Sequence, residues 1–170
     1  GHTLTAPEND KAFRIQDGAL TIKDSIGTGV IQGSGTVTSY GGNGGAIWMS
    51  SSDSNNALTL TGGTIRGFTA KYGAGVYMGN GTFNMTGGAI QDCLATDGGL
   101  ADGGGVYVSG GSFEMSDGTI SACKANNAGG GVYVSSGSFK MSGGSIEDCT
   151  AHEGAGVKVY ASSGETASFS

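Results

Sequence analysis

A six-residue motif recurs five times in this chain, and its spacing limits the folds that the sequence can adopt. The motif reads GGAIWM at residues 44–49, and it returns as GAGVYM, GGGVYV, GGGVYV and GAGVKV from Gly73, Gly103, Gly129 and Gly154. Successive copies start 29, 30, 26 and 25 residues apart. A fixed period of about 20 to 50 residues is typical of proteins that stack one structural unit on the next.

Two further apolar segments follow each of the first four copies of the motif. The first alternates apolar and polar residues, as in Phe113-Glu-Met115, and the second follows a Gly pair or Asp-Gly, as in Thr119-Ile120. Segments this short, bounded by Gly, Ser and Asn, are typical of β-strands between tight turns. No hairpin repeats with three distinct strand signatures in one order, so the sequence predicts an all-β parallel β-helix. It has three short strands per coil and about five to six coils.

Composition excludes several other classes of protein. The 36 glycines are spread along the whole chain, and each costs a helix interior roughly 1 kcal/mol relative to Ala, so an α-helical domain is excluded. Collagen is excluded because there is one Pro and no Gly-X-Y period. No apolar run approaches the roughly 18 residues of a membrane-spanning helix. The formal net charge of -6 argues against a nucleic-acid partner.

Alternation within the strands predicts which side chains form the core. Equivalent residues of successive coils should lie about 4.8 Å apart, one above the other. The inward columns are expected to hold Ile47, Val76, Val106, Val132 and Val157; Met49, Met78, Val108, Val134 and Val159; Leu58, Phe83, Phe113 and Phe139; Leu60, Met85, Met115 and Met141; and Ile65, Ile90, Ile120 and Ile146. A slip of one residue would turn every column outward, so the register is well specified.

The whole chain, residues 1–170, is predicted to be one β-helix domain. Residues 1–11 are expected to cap the open end or to be disordered, and residues 12–43 to form irregular coils with strands at Phe13–Ile15, Leu20–Ile22, Val30-Ile31 and Thr36-Val37. Residues 44–170 hold the regular repeats of 25–30 residues. The final segment, residues 167–170, matches the start of a second strand, so we expect a segment of a longer protein that ends within a repeat.

The pattern GGGVYV followed by GSFEMSDGTI resembles the right-handed parallel β-helix repeats of bacterial cell-surface proteins of the gut Gram-positive type, in the pectin-lyase-like superfamily. GGAI at Gly44–Ile47 is also similar to a short motif of chlamydial polymorphic membrane proteins. The resemblance implies a right-handed β-helix and an extracellular location, at the cell surface or cell wall of a bacterium. Many similar repeats carry Asn after the third strand, whereas this chain has Phe68, Cys93, Cys123 and Cys149 there.

The three cysteines occupy one position of successive repeats and should stack directly. Because Phe68 holds the same position, we favour buried free thiols in an apolar column. A disulfide between adjacent coils is the alternative. Neither His2 nor His152 is placed to complete a metal site, so no metal and no cofactor is expected.

The main candidate binding surface is aromatic. Trp48, Tyr77, Tyr107 and Tyr133 share one outward position of the first strand, and Lys158 follows in the fifth repeat. Such a strip could bind a glycan through sugar ring faces or serve as a protein contact. The alternative is that the rings only stabilise the sheet through cross-strand pairing.

Acidic residues accompany the strip. The long loop 94–102 contains Asp97 and Asp102, and His152 and Glu153 lie in the equivalent turn two coils later. With the strip, Asp97 and Asp102 are the candidate ligand-binding residues. A polysaccharide lyase or hydrolase using Asp97, Asp102 and Glu153 is the enzymatic alternative, and scattered surface acids that maintain solubility are the simpler interpretation.

The expected function is that of a non-catalytic adhesin or stalk, and a rigid spacer without any ligand is a third hypothesis. The expected partners are a glycan or a host surface protein, with no nucleic acid and no membrane insertion. We expect a monomer, with end-to-end association through an open end of the β-helix as an alternative.

Overall fold

The computed structural model describes residues 2–7, 10–34, 42–50, 52–161 and 164–170. These residues form nineteen β-strands in three sheets, and every pairing between the strands is parallel. The strand predicted at Thr36-Val37 lies outside the described residues. The chain is therefore a β-solenoid, an all-β fold in which each coil pairs with the one before it.

Each sheet collects equivalent strands from successive coils. Sheet 1 contains the motif strands: β2 (Phe13–Ile15), β5 (Ile47–Met49), β9 (Val76–Met78), β12 (Val106–Val108), β15 (Val132–Val134) and β18 (Val157–Val159). Sheet 2 contains ten strands: β1 (Thr3–Thr5), β3 (Ala19–Ile22), β4 (Val30–Gln32), β6 (Ala57–Leu60), β7 (Thr64–Arg66), β10 (Thr82–Gln91), β13 (Ser112–Ser121), β16 (Gly137–Met141), β17 (Ser145–Glu147) and β19 (Ala167–Phe169). Sheet 3 contains β8 (Thr69–Ala70), β11 (Leu94–Ala95) and β14 (Lys124–Ala125).

The strands of one coil differ from the three predicted strands in how they are joined and in number. The second and third strands share sheet 2, and in β10 and β13 they run on as one ten-residue strand with a register shift in the middle. Sheet 3 adds a two-residue strand that the sequence did not reveal, because two residues are too few to show alternation. The predicted loop 94–102 accordingly begins with strand β11.

The inward columns are confirmed by register and burial. Phe83 pairs in register with Leu58 and Phe113, and Phe113 pairs with Phe139; all four side chains are fully buried. Burial decreases toward the last coil: Met141, Ile146 and Val157 pack against the core but are only partly buried, and Val159 is 36 % exposed. Among the described residues, no further coil packs on these side chains, so the solvent reaches them.

A left-handed residue follows the third strand in four successive coils and turns the chain toward the column that holds the cysteines. Gly67, Asp92, Ala122 and Asp148 occupy this corner with φ of 68°, 54°, 52° and 54°. Because a Cβ disfavours this conformation, Ala122 is the least suited of the four side chains. The corner places Phe68 and the cysteines at equivalent inward positions in successive coils.

The three cysteines are free thiols in this structure, as favoured from the sequence. Cys93 and Cys123 are buried and Cys149 is partly buried. The thiols donate to carbonyls within the wall of the solenoid, such as Cys123 Sγ to the Ser121 oxygen at 3.3 Å. Hydrogen bonding with Cys123 and burial both raise the pKa of Cys149, so this side chain remains in the unreactive thiol form.

The N-terminal residues add one strand to the stack. β1 pairs with β4 in the third-strand position, and the Ala6 amide donates to the Gln32 carbonyl at 2.9 Å. Ala6 is buried against the first coil. Across the part of the chain that the structure describes, no helix is long and apolar enough to cross a membrane.

Candidate functional site

The predicted aromatic strip lies along one line of sheet 1. In-register pairing aligns Trp48 with Tyr77, Tyr77 with Tyr107, and Tyr107 with Tyr133. Lys158 continues the line after Tyr133, and Arg14 precedes Trp48, with its guanidinium carbon 5.8 Å from the indole centroid. A cation therefore lies at each end of an aromatic row.

Three of the strip residues form a stacked series, which we call the tyrosine ladder: Tyr77, Tyr107 and Tyr133. The Tyr77 and Tyr107 centroids are 5.5 Å apart with 17° between the ring planes, and Tyr107 and Tyr133 are 5.0 Å apart with 18°. The ring faces therefore cover one another along the stack. The ladder presents ring edges and hydroxyl groups to the solvent rather than a row of open faces.

The strip is less exposed than the sequence suggested. Trp48, Tyr77 and Tyr107 are half-buried, and Tyr133 is 9 % exposed. The expectation that Tyr133 faces the solvent is therefore wrong. Stacking on Tyr107 covers one face of the Tyr133 ring. Burial disfavours the charged phenolate and raises the pKa of Tyr133 to about 12.

The first glycine of the motif packs closely against the aromatic residue of sheet 1 that follows it in the same coil. Gly103 has φ of 67°, and a Cβ built on it would lie 2.7 Å from the Val106 oxygen and 2.8 Å from the Tyr107 Cβ. Gly129 repeats this relation with Val132 and Tyr133 at 2.6 and 2.7 Å. The motif glycine thus packs directly beneath the ladder residue four positions later, where a larger residue would displace it.

Tyr72, Lys71 and Asp97 form a series of contacts that begins at the side of the tyrosine ladder. The Tyr72 ring lies 5.1 Å from Tyr107 at an interplanar angle of 49°, and the Lys71 ammonium lies 5.3 Å from the Tyr72 centroid. Lys71 also pairs with Asp97 at 2.7 Å. That hydrogen bond lowers the pKa of Asp97 and raises the pKa of Lys71, so both groups are held in their charged forms.

Asp102 is a buried acid next to the ladder. A parallel bridge pairs it with Tyr72 of the preceding coil, and it is 8 % exposed. Its Oδ1 atom accepts hydrogen bonds from the Asn127 side chain at 2.7 Å and from the Ala128 amide at 3.0 Å. Burial raises the pKa of Asp102, although these two hydrogen bonds oppose the shift. The carboxyl therefore joins two coils and bears a desolvated charge beside the tyrosines.

The tyrosine hydroxyl groups respond to the same environment. Burial raises the pKa of Tyr107 despite a hydrogen bond with Ser135, and the negative charge of Asp102 raises it further. Burial and then Asp102 act in the same direction on Tyr133. The Tyr107 and Tyr133 hydroxyls thus remain protonated, as neutral donors, throughout the physiological pH range.

The remaining candidate acid belongs to a separate pair. Glu153 accepts a hydrogen bond from Lys158 at 2.6 Å, and this contact lowers the pKa of Glu153. Bridges link Tyr72, Asp102, Ala128 and Glu153 in successive coils, so Glu153 lies in the turn equivalent to that of Asp102 two coils later, as the sequence predicts. Each of the three acids has its own partner, and Asp97 and Glu153 are paired with lysines.

Sequence reasoning missed three residues of this site. Tyr72 precedes its motif glycine just as Asp102 precedes Gly103, and this shared position was the available signal. The Asn127 contact could not be read from the sequence, because it depends on the path of a loop between coils. The same holds for Lys71, whose partner Asp97 lies in the next coil. No group of three or more His, Cys, Asp or Glu side chains among the described residues is placed to hold a metal ion.

Comparison with known proteins agrees with the architecture. A family model described as "Right handed beta helix region" matches residues 11–169. No curated protein and no solved structure matches the chain. The match covers the five complete coils and the partial coil that follows them, so it includes the whole tyrosine ladder.

Proposed function

Because the chain belongs to the right-handed β-helix family, we propose that it acts as a non-catalytic rod of a bacterial cell-surface protein, an adhesin or stalk. The tyrosine ladder with Trp48 is its contact face. The family contains both enzymes and proteins without catalytic activity, so the proposal depends on the side chains of this face. The bacterial surface location follows from the resemblance of the repeats.

The state of the acids is the observation that carries the proposal. Asp97 is neutralised by Lys71 and Glu153 by Lys158, at 2.7 and 2.6 Å. The Oδ1 atom of Asp102 is occupied by two donors of the neighbouring coil. A glycosidase needs one carboxylic acid and one carboxylate free to reach the same bond, about 5 to 9 Å apart. Acids whose oxygens are already bound by these neighbouring groups are poorly placed for such a reaction.

The ladder suits a ligand that is bound at ring edges and hydroxyls. Its faces are covered by stacking, so a sugar ring cannot lie flat on Tyr107 without separating two tyrosines. A glycan hydroxyl or a peptide group can accept hydrogen bonds from the phenol hydroxyls, while the ring edges supply apolar contact. We therefore assign a glycan or a host surface protein as the partner, held along the row rather than in a pocket.

Paired variants test the contact face. The variant with Trp48→Ala and Tyr77→Phe removes one ring and one hydroxyl from this row, and it is expected to lose at least tenfold in affinity for glycans or host proteins captured on an array. The control Lys140→Ala changes an exposed residue of sheet 2. Equal binding by the double variant and the control would contradict the assignment of this face as the binding surface.

One observation favours an enzyme as the second candidate. Asp102, Tyr107 and Tyr133 all have raised pKa values in one small area, and such groupings occur at catalytic sites. A polysaccharide lyase or hydrolase would then act along sheet 1. Incubation with pectins, mucin glycans and host polysaccharides is expected to give no new reducing ends and no unsaturated products. Product formation that is lost in Asp102→Asn would establish the enzyme instead.

A further inference from the structure

The loop between β5 and β6 is longer than the loops at the same place in the next two coils. It spans residues 50–56, whereas residues 79–81 and 109–111 make the equivalent connections. The structure describes residues 50 and 52–56 of this loop. Every residue of the loop is Ser, Asp or Asn, so each side chain carries an oxygen atom. An insertion in one unit of a repeat protein often lies on its binding face.

Asn56 closes this loop from the inside. It is 1 % exposed, and its Nδ2 atom donates to the Ser50 carbonyl at 3.4 Å and to the Asp53 carbonyl at 3.1 Å. Gly18 and Gly81 hold the same corner in the neighbouring coils, since their carbonyls accept from the first residue of the following second strand, as the Asn56 carbonyl does. In these three coils, a side chain at this corner therefore occurs only with the long loop, and its amide lies between two carbonyls of that loop.

The Oδ1 atom of Asn56 is a buried acceptor that receives no hydrogen bond from the described residues. Exchanging the oxygen and nitrogen of the amide would not satisfy it, because the oxygen would then face the Ser50 and Asp53 carbonyls, which are acceptors too. Buried polar side chains are almost always paired in folded proteins, and an exception points to a bound water or ion. Oδ1 therefore marks a position where the loop can receive a ligand.

The rest of the loop adds further oxygen atoms, including one carboxylate. Ser50 is buried, and its Oγ atom lies 2.7 Å from the Ser52 Oγ. Asp53 is half-buried, and its Oδ1 atom accepts from the Asn55 amide at 2.8 Å, which directs the carboxylate along the loop toward Asn56. The Oδ2 atom of Asp53 has no hydrogen-bond or ion-pair partner among the described residues, so its charge is not neutralised there.

We propose that loop 50–56 binds a calcium ion, with Asn56 Oδ1 and the Asp53 carboxylate as its protein ligands. A cation satisfies the buried amide oxygen and also balances the carboxylate, whereas a water molecule satisfies only the first. Calcium accepts carboxylate, amide and water oxygens in flexible geometry, while magnesium demands a near-ideal octahedron. A single carboxylate makes the site weak, with a Kd of about 0.1–1 mM.

The oxygen ligands set this site apart from the metal sites weighed from the sequence. The expectation that no metal binds was drawn from the cysteines and from His2 and His152, none of which lies in this loop. Trp48 lies two residues before Ser50, on β5, so a bound ion would fix the loop that follows this ring. Calcium binding here does not require a ligand on the tyrosine ladder.

Thermal denaturation with and without calcium is the first test. At a calcium concentration about ten times the expected Kd, the melting temperature should rise by about 3–6 °C, and magnesium at the same concentration should raise it by less. Terbium, which replaces calcium at oxygen sites, should luminesce on excitation of Trp48, the single tryptophan. No rise in calcium and no terbium luminescence would overturn the proposal, and so would equal rises in calcium and magnesium.

Three variants identify the ligands. Asp53→Asn removes the charge and should weaken calcium binding about tenfold or more. Asp117→Asn makes the same change at an exposed residue of sheet 2 whose carboxylate also accepts from a backbone amide, and it should keep the full rise. Asn56→Gly removes Oδ1 and introduces the residue found at this corner as Gly18 and Gly81, so it should fold, as circular dichroism can check, and lose the calcium response. A full response in Asp53→Asn or Asn56→Gly would contradict the site, as would a loss in Asp117→Asn.

Discussion

Two aromatic columns run through the same coils, one inside the solenoid and one outside, and they pack differently. Phe83, Phe113 and Phe139, the phenylalanine ladder, stack with centroids 4.5 Å apart and ring planes within 10°. The tyrosine ladder has centroid distances of 5.0–5.5 Å and interplanar angles of 17–18°. The coils set the same repeat for both, so the difference arises from what surrounds the rings.

Enclosure explains the closer packing of the inner rings. Each phenylalanine is fully buried, and side chains of sheets 1 and 2 confine it on all sides. The tyrosines have a wall of protein on one side and solvent on the other, so their rings tilt and separate by up to another 1.0 Å. The in-register backbone thus aligns equivalent residues, whereas the geometry of contact between their side chains depends on burial.

The largest expected effect comes from removing one ring of the inner column. Phe113→Ala should lower the free energy of unfolding by about 3–5 kcal/mol, because a large side chain is lost from a closed interior that cannot collapse fully. Chemical denaturation followed by circular dichroism measures this difference. Tyr107→Ala, the matched change in the outer column of the same coil, should cost clearly less, because solvent can fill the space. Equal losses at the two sites would contradict the comparison.

The buried acid beside the outer column should give the next largest effect. Asp102→Ala leaves the Ala128 amide and the Asn127 side chain without their acceptor, so it should cost about 1–3 kcal/mol of unfolding free energy. Asp102→Asn keeps an oxygen at the Oδ1 position and removes the desolvated charge. It should be at least as stable as the parent protein at pH 7, as thermal denaturation can measure. A loss as large as that of Asp102→Ala would show that the charge itself is needed.

The pH dependence of stability should differ between the parent protein and Asp102→Asn. Burial raises the pKa of Asp102 in the folded state above its ordinary value of 3.8. Between these two pKa values, the folded state holds a proton that the unfolded state has released, so this group's contribution to stability falls as pH rises through that interval. The stability of Asp102→Asn relative to the parent protein should therefore increase with pH from about 4 upward and then level off. A difference that stays constant over this range would contradict the raised pKa.

A smaller effect is expected at the corner that precedes the cysteine column. Ala122 has φ of 52°, whereas Gly67 occupies the equivalent corner of an earlier coil. Ala122→Gly should raise the unfolding free energy by about 0.5–1 kcal/mol, because a left-handed Ala costs about 1–2 kcal/mol and the flexible unfolded chain offsets part of the gain. A differential scan of the melting temperature can detect this change. Ala125→Gly, in the buried strand β14, should instead destabilise the protein, and stabilisation of both variants would contradict the explanation.

The columns of the core were predictable because the sequence repeats its apolar positions with few exceptions. Every inward residue of the three middle motif strands falls where alternation predicts, as Val106 and Val108 show. The family match over residues 11–169 agrees with the predicted architecture. Sheet 3 was not predictable, because strands such as Lys124–Ala125 are too short to carry a pattern.

The candidate site was predictable as a line of residues but not as a surface. Register alone places Tyr77, Tyr107 and Tyr133 in one row, and the structure confirms this row. Whether rings show their faces or their edges depends on side-chain torsions, which alternation does not encode. Burial of Asp102 depends likewise on contacts between loops of unequal length, which no single repeat specifies.

The most direct test of the account is to detect contacts between aromatic rings in solution. Nuclear Overhauser effects in a specifically labelled sample should link the Phe113 ring to both Phe83 and Phe139, and the Tyr107 ring to both Tyr77 and Tyr133. Contacts of Phe113 with neither of those rings, or backbone contacts typical of antiparallel strands between β12 and β15, would contradict a solenoid of parallel, in-register coils.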